Sequence, residues 1–258
     1  MEEDIKKEKS LIETLKPKTA FKVGLLSGLG IMFFIGFFIL LGVFINNKAE
    51  GSAITKDINN NVAAANNPQP TSGGDIAIRA VDKNNDWIKG NPDAKISIVE
   101  FSDTECPFCK KFHATMKQVL SEYDGQVNWI YRHFPLTSLH SRAQKEAEAT
   151  ECAGEQGGNK SFWDYIDRLF EITPSNNGLA ESQLSDIAKY VGLDVDKFQK
   201  CLDSGKYTKK VQDQSQQAQA AGGRGTPYSV ILVGDQKIPI PGALPFESVK
   251  STLDSLLK

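Results

Sequence analysis

The sequence predicts an α/β domain whose sheet is interrupted by an inserted helical block, preceded by a single N-terminal transmembrane helix. Three observations carry this. Val23 to Ile45 is a run of 23 residues without a charge. Lys95–Phe101 (KISIVEF) is β-branched and aromatic and ends just before a C-x-x-C that opens an amphipathic stretch. Strand character then returns at Val127 and, only after a long succession of helical patterns, again from Tyr228. With 40% hydrophobic and 24% charged residues, the chain is neither disordered nor collagen-like. Lys plus Arg number 30 against 32 Asp plus Glu, and no basic block is dense enough to follow a phosphate backbone, so no nucleic-acid partner is expected.

Taken in order, residues 23–45 as a helix would reach about 35 Å, enough to cross a bilayer. A cleaved secretory signal would have an apolar core of only about 7 to 15 residues, so the run reads as an uncleaved signal anchor in the cell membrane. Lys6, Lys7, Lys9, Lys16, Lys18 and Lys22 precede it, and only Lys48 and Lys56 follow closely. The positive-inside rule therefore places residues 1–22 in the cytoplasm and everything after the span outside. Residues 46–80 are rich in Asn, Ala, Gly, Ser and Pro without apolar periodicity and read as a flexible linker.

The domain proper is expected over 81–258. A turn signal at Gly90, Asn91 and Pro92 precedes the buried strand Lys95–Phe101. Ser102, Asp103 and Thr104 are candidate caps for a helix carrying Phe108, Phe112, Met116, Val119 and Leu120 at three- and four-residue spacings. A second strand is expected at Val127–Phe134. Helices are expected near 142–154, 161–171, 181–191, 194–203 and 205–220, followed by strands at Tyr228–Val233 and Lys237–Ile240 around a Gly234-Asp235 turn. A last helix runs from about Phe246 to Leu257. This order is that of a thioredoxin-like core with a helical insertion at about 138–221.

The C-x-x-C, Cys106-Pro107-Phe108-Cys109, sits where a strand hands over to a helix. A thiolate, not a thiol, attacks disulfides, and the unpaired N–H groups of a helix N-terminus stabilise it at Cys106. Pro107 fits the first helical turn, where its missing N–H is not needed, and sets how the sulfurs face each other. Cys109, one turn in, should be the more buried, resolving thiol. Zinc would need a second close pair of ligands, but Cys152 and Cys201 lie far from the first pair and from each other. Attachment of c-type haem would need a His where Lys110 stands. No metal or cofactor is expected. A purely structural disulfide in so small a loop would add little stability.

The run VEFSDTECPFCKKFH, with FPL at 134–136, SFWDYIDRLF at 161–170, GTPYSVILV at 225–233 and GALPFE at 242–247, resembles the DsbA-like branch of the thiol:disulfide oxidoreductases from about residue 85 onward. Position alone would make Pro227 an ordinary trans proline. The resemblance implies instead a cis proline facing the C-x-x-C, with Thr226 presenting backbone groups to a substrate chain. It also places Glu100 where the family keeps a buried acid serving Cys109. From the strand alone, Glu100 is equally a solvent-facing residue or a core-facing one in step with Ile98. Glu105 reads as solvated, and His113, His133 and His140 as structural histidines rather than bases. Phe108 brings no charge between the cysteines, leaving the helix terminus to favour the thiolate.

Two cysteines left over outside the cytoplasm would be a liability, and some DsbA-like proteins carry an extra bridge in this region. A structural Cys152–Cys201 disulfide is therefore expected, with two buried free thiols as the alternative. The resemblance implies a membrane-anchored dithiol oxidase acting on reduced exported proteins. Its re-oxidising partner would be quinone-linked, either DsbB-like or vitamin K epoxide reductase-like. The alternatives are a reductase or isomerase, and a tethered peptide-binding or chaperone module.

Overall fold

The continuous β-branched and aromatic character of ISIVEFS belongs to a strand covered on both faces. In the computed structural model, which describes residues 76–258, that strand is the middle of five. Strands β1 (Trp87–Gly90), β2 (Ile96–Ser102), β3 (Val127–His133), β4 (Tyr228–Val233) and β5 (Gln236–Pro241) lie in the order β1-β3-β2-β4-β5. β2 and β3 are parallel, and every other pairing is antiparallel. Helix α1 (Pro107–Glu122) supplies the crossover from β2 to β3, and α2 to α5 stand between β3 and β4: Ala143–Ile172, Gln183–Tyr190, Val195–Asp203 and Thr208–Ala220. Helix α6 (Phe246–Leu256) follows β5. The α/β fold with a helical insertion is therefore present.

On one sheet face Ile96, Ile98, Trp129 and Tyr131 pack against Phe112, Met116 and Val119 of α1, Phe162 and Trp163 of α2, and Val249 and Leu253 of α6. On the other, Val99, Phe101, Ile130 and Val230 meet Ala218 and Ala221 at the end of α5, with Ile76, Ile78 and Val81 covering the edge. Arg132, fully buried on this second face, donates to both carboxylate oxygens of Asp86 at 3.1 and 2.9 Å and to the carbonyls of Arg79 and Ala80. That pairing ties the segment before β1 to the sheet, because a lone buried guanidinium would be severely destabilising. The insertion has its own core of Tyr165, Leu169, Leu184, Ile187, Phe198 and Leu202.

Three differences from expectation have physical causes. Strand β1 was not foreseen: WIKG is short and gains its hydrogen bonds by pairing antiparallel with β3, far along the chain. Helices expected at 142–154 and 161–171 form one element, α2, broken by non-helical backbone at Gly157 and Gly158, the latter at φ 69°, a conformation glycine adopts without penalty. None of Ser102, Asp103 and Thr104 caps α1. Cys106 occupies the N-cap without a side-chain bond, and Pro107 is the first helical residue. Among the described residues no helix is long and apolar enough to cross a membrane. The expected anchor at 23–45, the segment 1–22 and the linker up to residue 75 lie outside the described residues.

Candidate active site

Cys106 and Cys109 are both free thiols, 5% and 0% exposed, so Cys109 is the more deeply buried of the two. The Cys106 Sγ donates to the Thr226 carbonyl at 3.4 Å, and the Thr226–Pro227 peptide bond is cis. Residues 120 apart in sequence thus meet across the helix start, an arrangement invisible to any local pattern. The Asp103 backbone N–H reaches the Cys109 Sγ at 3.4 Å, and the Asp103 carbonyl accepts the Cys106 N–H at 3.1 Å. Phe108 is exposed, beside the pair at the molecular surface.

The electrostatics separate the two sulfurs. The Cys106 thiol is pulled down to about 6, first by the Cys109 thiol hydrogen-bonding to it, then, against an opposing burial effect, by the Thr226 side chain and the N–H groups of Cys109 and Phe108. Burial pushes Cys109 well above the usual thiol range, with Cys106 and Glu100 adding to the effect. One sulfur is set up to carry charge at neutral pH and the other to hold its proton.

Glu100 faces inward. Register sets it opposite Tyr131 of β3 and Ser229 of β4, on the face that α1 covers. It is fully buried with no partner at ordinary hydrogen-bond distance, and burial raises it to about 7 against the opposing pull of the nearby Ser102 hydroxyl and Trp129 indole N–H. The hydroxyls of Ser102, Tyr131 and Ser229 and the Trp129 indole N–H are buried and unpaired as well. The core under the dithiol is thus polar where packing alone would make it apolar.

Glu105 contradicts its expected solvation. It is 0% exposed; its carboxylate accepts the N–H groups of Asn177 and Gly178, and its carbonyl accepts that of Asn176 at 2.8 Å. These bonds hold Ser175, Asn176 and Asn177 in the left-handed region at φ 65°, 52° and 64°. Glu146 of α2, also buried, is pushed up to about 9 by burial and by the neighbouring Glu105 carboxyl. The loop after α2 is therefore seated on the residue next to Cys106. His113 pairs with Asp167 at 2.6 Å and His133 with Glu151 at 3.2 Å, and burial holds His113 below its ordinary value despite its partner. His140 Nδ1 meets the Asp103 carboxylate at 2.9 Å. The carboxyls of Asp103, Glu105 and Glu146 escaped the sequence reading because their partners arrive from other elements. Only the polar run SDTE before Cys106 hinted at them.

Cys152 of α2 and Cys201 of α4 form a disulfide, which excludes the alternative of two free thiols. It clips the first insertion helix to the third.

A central parallel strand pair, a C-x-x-C at a helix N-terminus and a cis proline opposite it together define a thioredoxin-fold dithiol protein. The sequence model of the Thioredoxin family matches residues 82–255, and the chain belongs to that family, in its DsbA-like thiol–disulfide oxidoreductase branch. Among solved structures it is similar to DsbA2 of Pseudomonas aeruginosa, 28% identical with a TM-score of 0.57 over 66% of this chain and 93% of that one. A thioredoxin-like oxidoreductase from Silicibacter pomeroyi is also 28% identical, with a TM-score of 0.55 over 67% and 92% of the two chains. The fold also matches BdbD of Bacillus subtilis, 24% identical with a TM-score of 0.58 over 67% of this chain and 92% of that one. Among curated proteins, Na(+)/H(+) antiporter NhaA 1 of Mycolicibacterium gilvum is 32% identical over 152 residues, 58% of this chain and 24% of the antiporter. The chain spans about a quarter of that relative's length, and antiport is a property of the relative.

Proposed function

We propose that the protein is a membrane-anchored, extracytoplasmic dithiol oxidase that introduces disulfides into reduced exported proteins. The observation that supports this most is the acid-shifted Cys106 beside a proton-holding Cys109, facing the cis Thr226–Pro227 bond. In the oxidised enzyme a substrate thiolate attacks the Cys106 sulfur, the Cys106–Cys109 bond breaks, and the electron pair leaves on Cys109. Cys109 takes up a proton from Glu100, which near pH 7 can both give one and take one back. A second substrate thiolate then attacks the substrate sulfur of the mixed disulfide and expels Cys106 as a thiolate, a good leaving group because its pKa is low. Two electrons have moved from substrate to enzyme. Backbone groups of Thr226, held by Pro227, pair with the substrate chain during the exchange. Pro107 sets the first turn of α1, and Phe108 lies at the surface where the substrate arrives.

A quinone-linked membrane partner, DsbB-like or vitamin K epoxide reductase-like, removes the two electrons and restores the disulfide. The lysine bias around residues 23–45 supports an anchor in the lipid bilayer with the domain outside. Cys106→Ser tests the reading: the variant should keep its fold and lose all oxidation of a reduced model protein. Unchanged protection of an unfolded client by that variant, with no oxidation by the native protein, would mark a tethered binding module instead.

A further inference from the structure

We infer that His140 is a positioning residue of the dithiol site: seated on Asp103, its imidazolium cancels a buried carboxylate charge beside Cys106 and so favours the attacking thiolate. The inference rests on reading Cys106 as the attacking sulfur. Asp103 is the hub of the site. Its backbone contacts both cysteines, through its carbonyl to the Cys106 N–H and its N–H to the Cys109 sulfur. Its carboxylate, 1% exposed, accepts the N–H of Glu105 at 2.8 Å and that of Leu136 at 2.7 Å, and pairs with His140 Nδ1 at 2.9 Å. The two backbone donors are dipoles. Among the described residues, His140 is the one basic side chain in contact with this carboxylate.

Without a proton on His140, a buried negative charge would stand within a turn of Cys106 and oppose a second one on its sulfur. With the proton, the Asp103–His140 pair is neutral and the thiolate meets no net repulsion from it. The other groups gathered here do not supply a cation. They are Glu105 from the same loop, bound to the Asn177 and Gly178 N–H groups, Glu146 from α2, pushed up to about 9, and the uncharged Asn176 from the loop after α2. Phe108 leaves the dipeptide between the cysteines uncharged. The positive charge comes instead from the loop between β3 and α2, which sequence distance concealed. Burial of His140 works against its charged form, but the hydrogen bond and charge of Asp103, helped by Cys106, outweigh it and raise its pKa above the ordinary value.

The test follows thiolate absorbance against pH in the reduced full-length protein, for the native chain, His140→Asn, Asp103→Asn and the double variant. His140→Asn keeps a hydrogen-bond donor toward Asp103 and removes the charge. It should lower the thiolate equilibrium of Cys106 about tenfold and move the glutathione exchange constant toward a more reducing pair. In the Asp103→Asn background the same substitution should change the thiolate equilibrium less than about twofold, since no carboxylate remains to cancel. An unchanged Cys106 titration in His140→Asn, or an equal shift in both backgrounds, overturns the inference. A readout free of substitutions is the His140 imidazole followed by NMR. Its titration midpoint should lie at higher pH in the reduced than in the oxidised protein, and equal midpoints would also overturn it. If the native Cys106 titrates as an ordinary thiol, the reading of Cys106 itself fails, an outcome distinct from the failure of His140 alone.

Discussion

Replacing Glu100 with Gln should stabilise the folded protein while slowing its chemistry. The carboxyl is fully buried with no partner at ordinary hydrogen-bond distance, and burial moves it from 4.5 to about 7. A raised carboxyl is the reverse of the usual salt-bridged case. The folded state holds the proton more tightly than the unfolded one, so a penalty is absent below about 4.5, grows as pH rises, and is complete above about 7. The full penalty is about 3 kcal/mol; at pH 5 it is under about 1 kcal/mol. Urea unfolding of the oxidised protein, in which neither active-site thiol titrates, isolates this effect. At pH 8 the variant's midpoint should rise by about 1.5 M for a slope near 2 kcal/mol/M, and the gain should shrink to a fraction of that at pH 5. Oxidation of a reduced client should slow at least about tenfold, because Cys109 loses its proton donor. Equal midpoints at pH 8, or a gain of the same size at both pH values, would refute the assignment of Glu100 as an ionisable buried acid.

Removing the second bridge by Cys152→Ala with Cys201→Ala opens a loop with a separation of 49 residues. In the chain-entropy model this costs up to about 4 kcal/mol, a fall of about 10 °C in Tm by calorimetry. The glutathione exchange constant of Cys106 and Cys109 should stay the same, and a shift in it would show that the bridge acts on the site. Phe108→His should make the pair more oxidising and lower the pKa of Cys106, because a partial positive charge would join the helix N-terminus. Glutathione equilibration checks this, and an unchanged or more reducing value would count against it. In intact cells a membrane-impermeant thiol reagent should reach Cys106 after mild reduction, while a tag at Met1 stays protected from external protease. Labelling only after lysis would reverse the orientation.

The elements built on local pattern were legible. KISIVEF and YSVILV announce buried strands, and the helix after the C-x-x-C follows from Phe112, Met116 and Val119. Strand β1 was not legible, because four residues acquire strand geometry only by pairing with β3. In the site, the cysteines and Pro107 could be placed by a motif and a helix terminus. The inward face of Glu100 was undecided until β3 and β4 lined up with β2. Glu105 was misread because its exposure depends on Asn177 and Gly178, which return to it from the far end of α2. His140 looked inert for the same reason, since its partner Asp103 lies 37 residues away and resembled a helix cap.

The reduction potential of the Cys106/Cys109 pair tests the oxidase reading most directly, because it sets the direction of electron flow. A Cys106 thiolate stabilised in the reduced protein makes reduction favourable, so equilibration with glutathione should give a value between about −200 and −120 mV, above the thioredoxin level. A value at or below about −270 mV would make the pair a reductant and contradict the account.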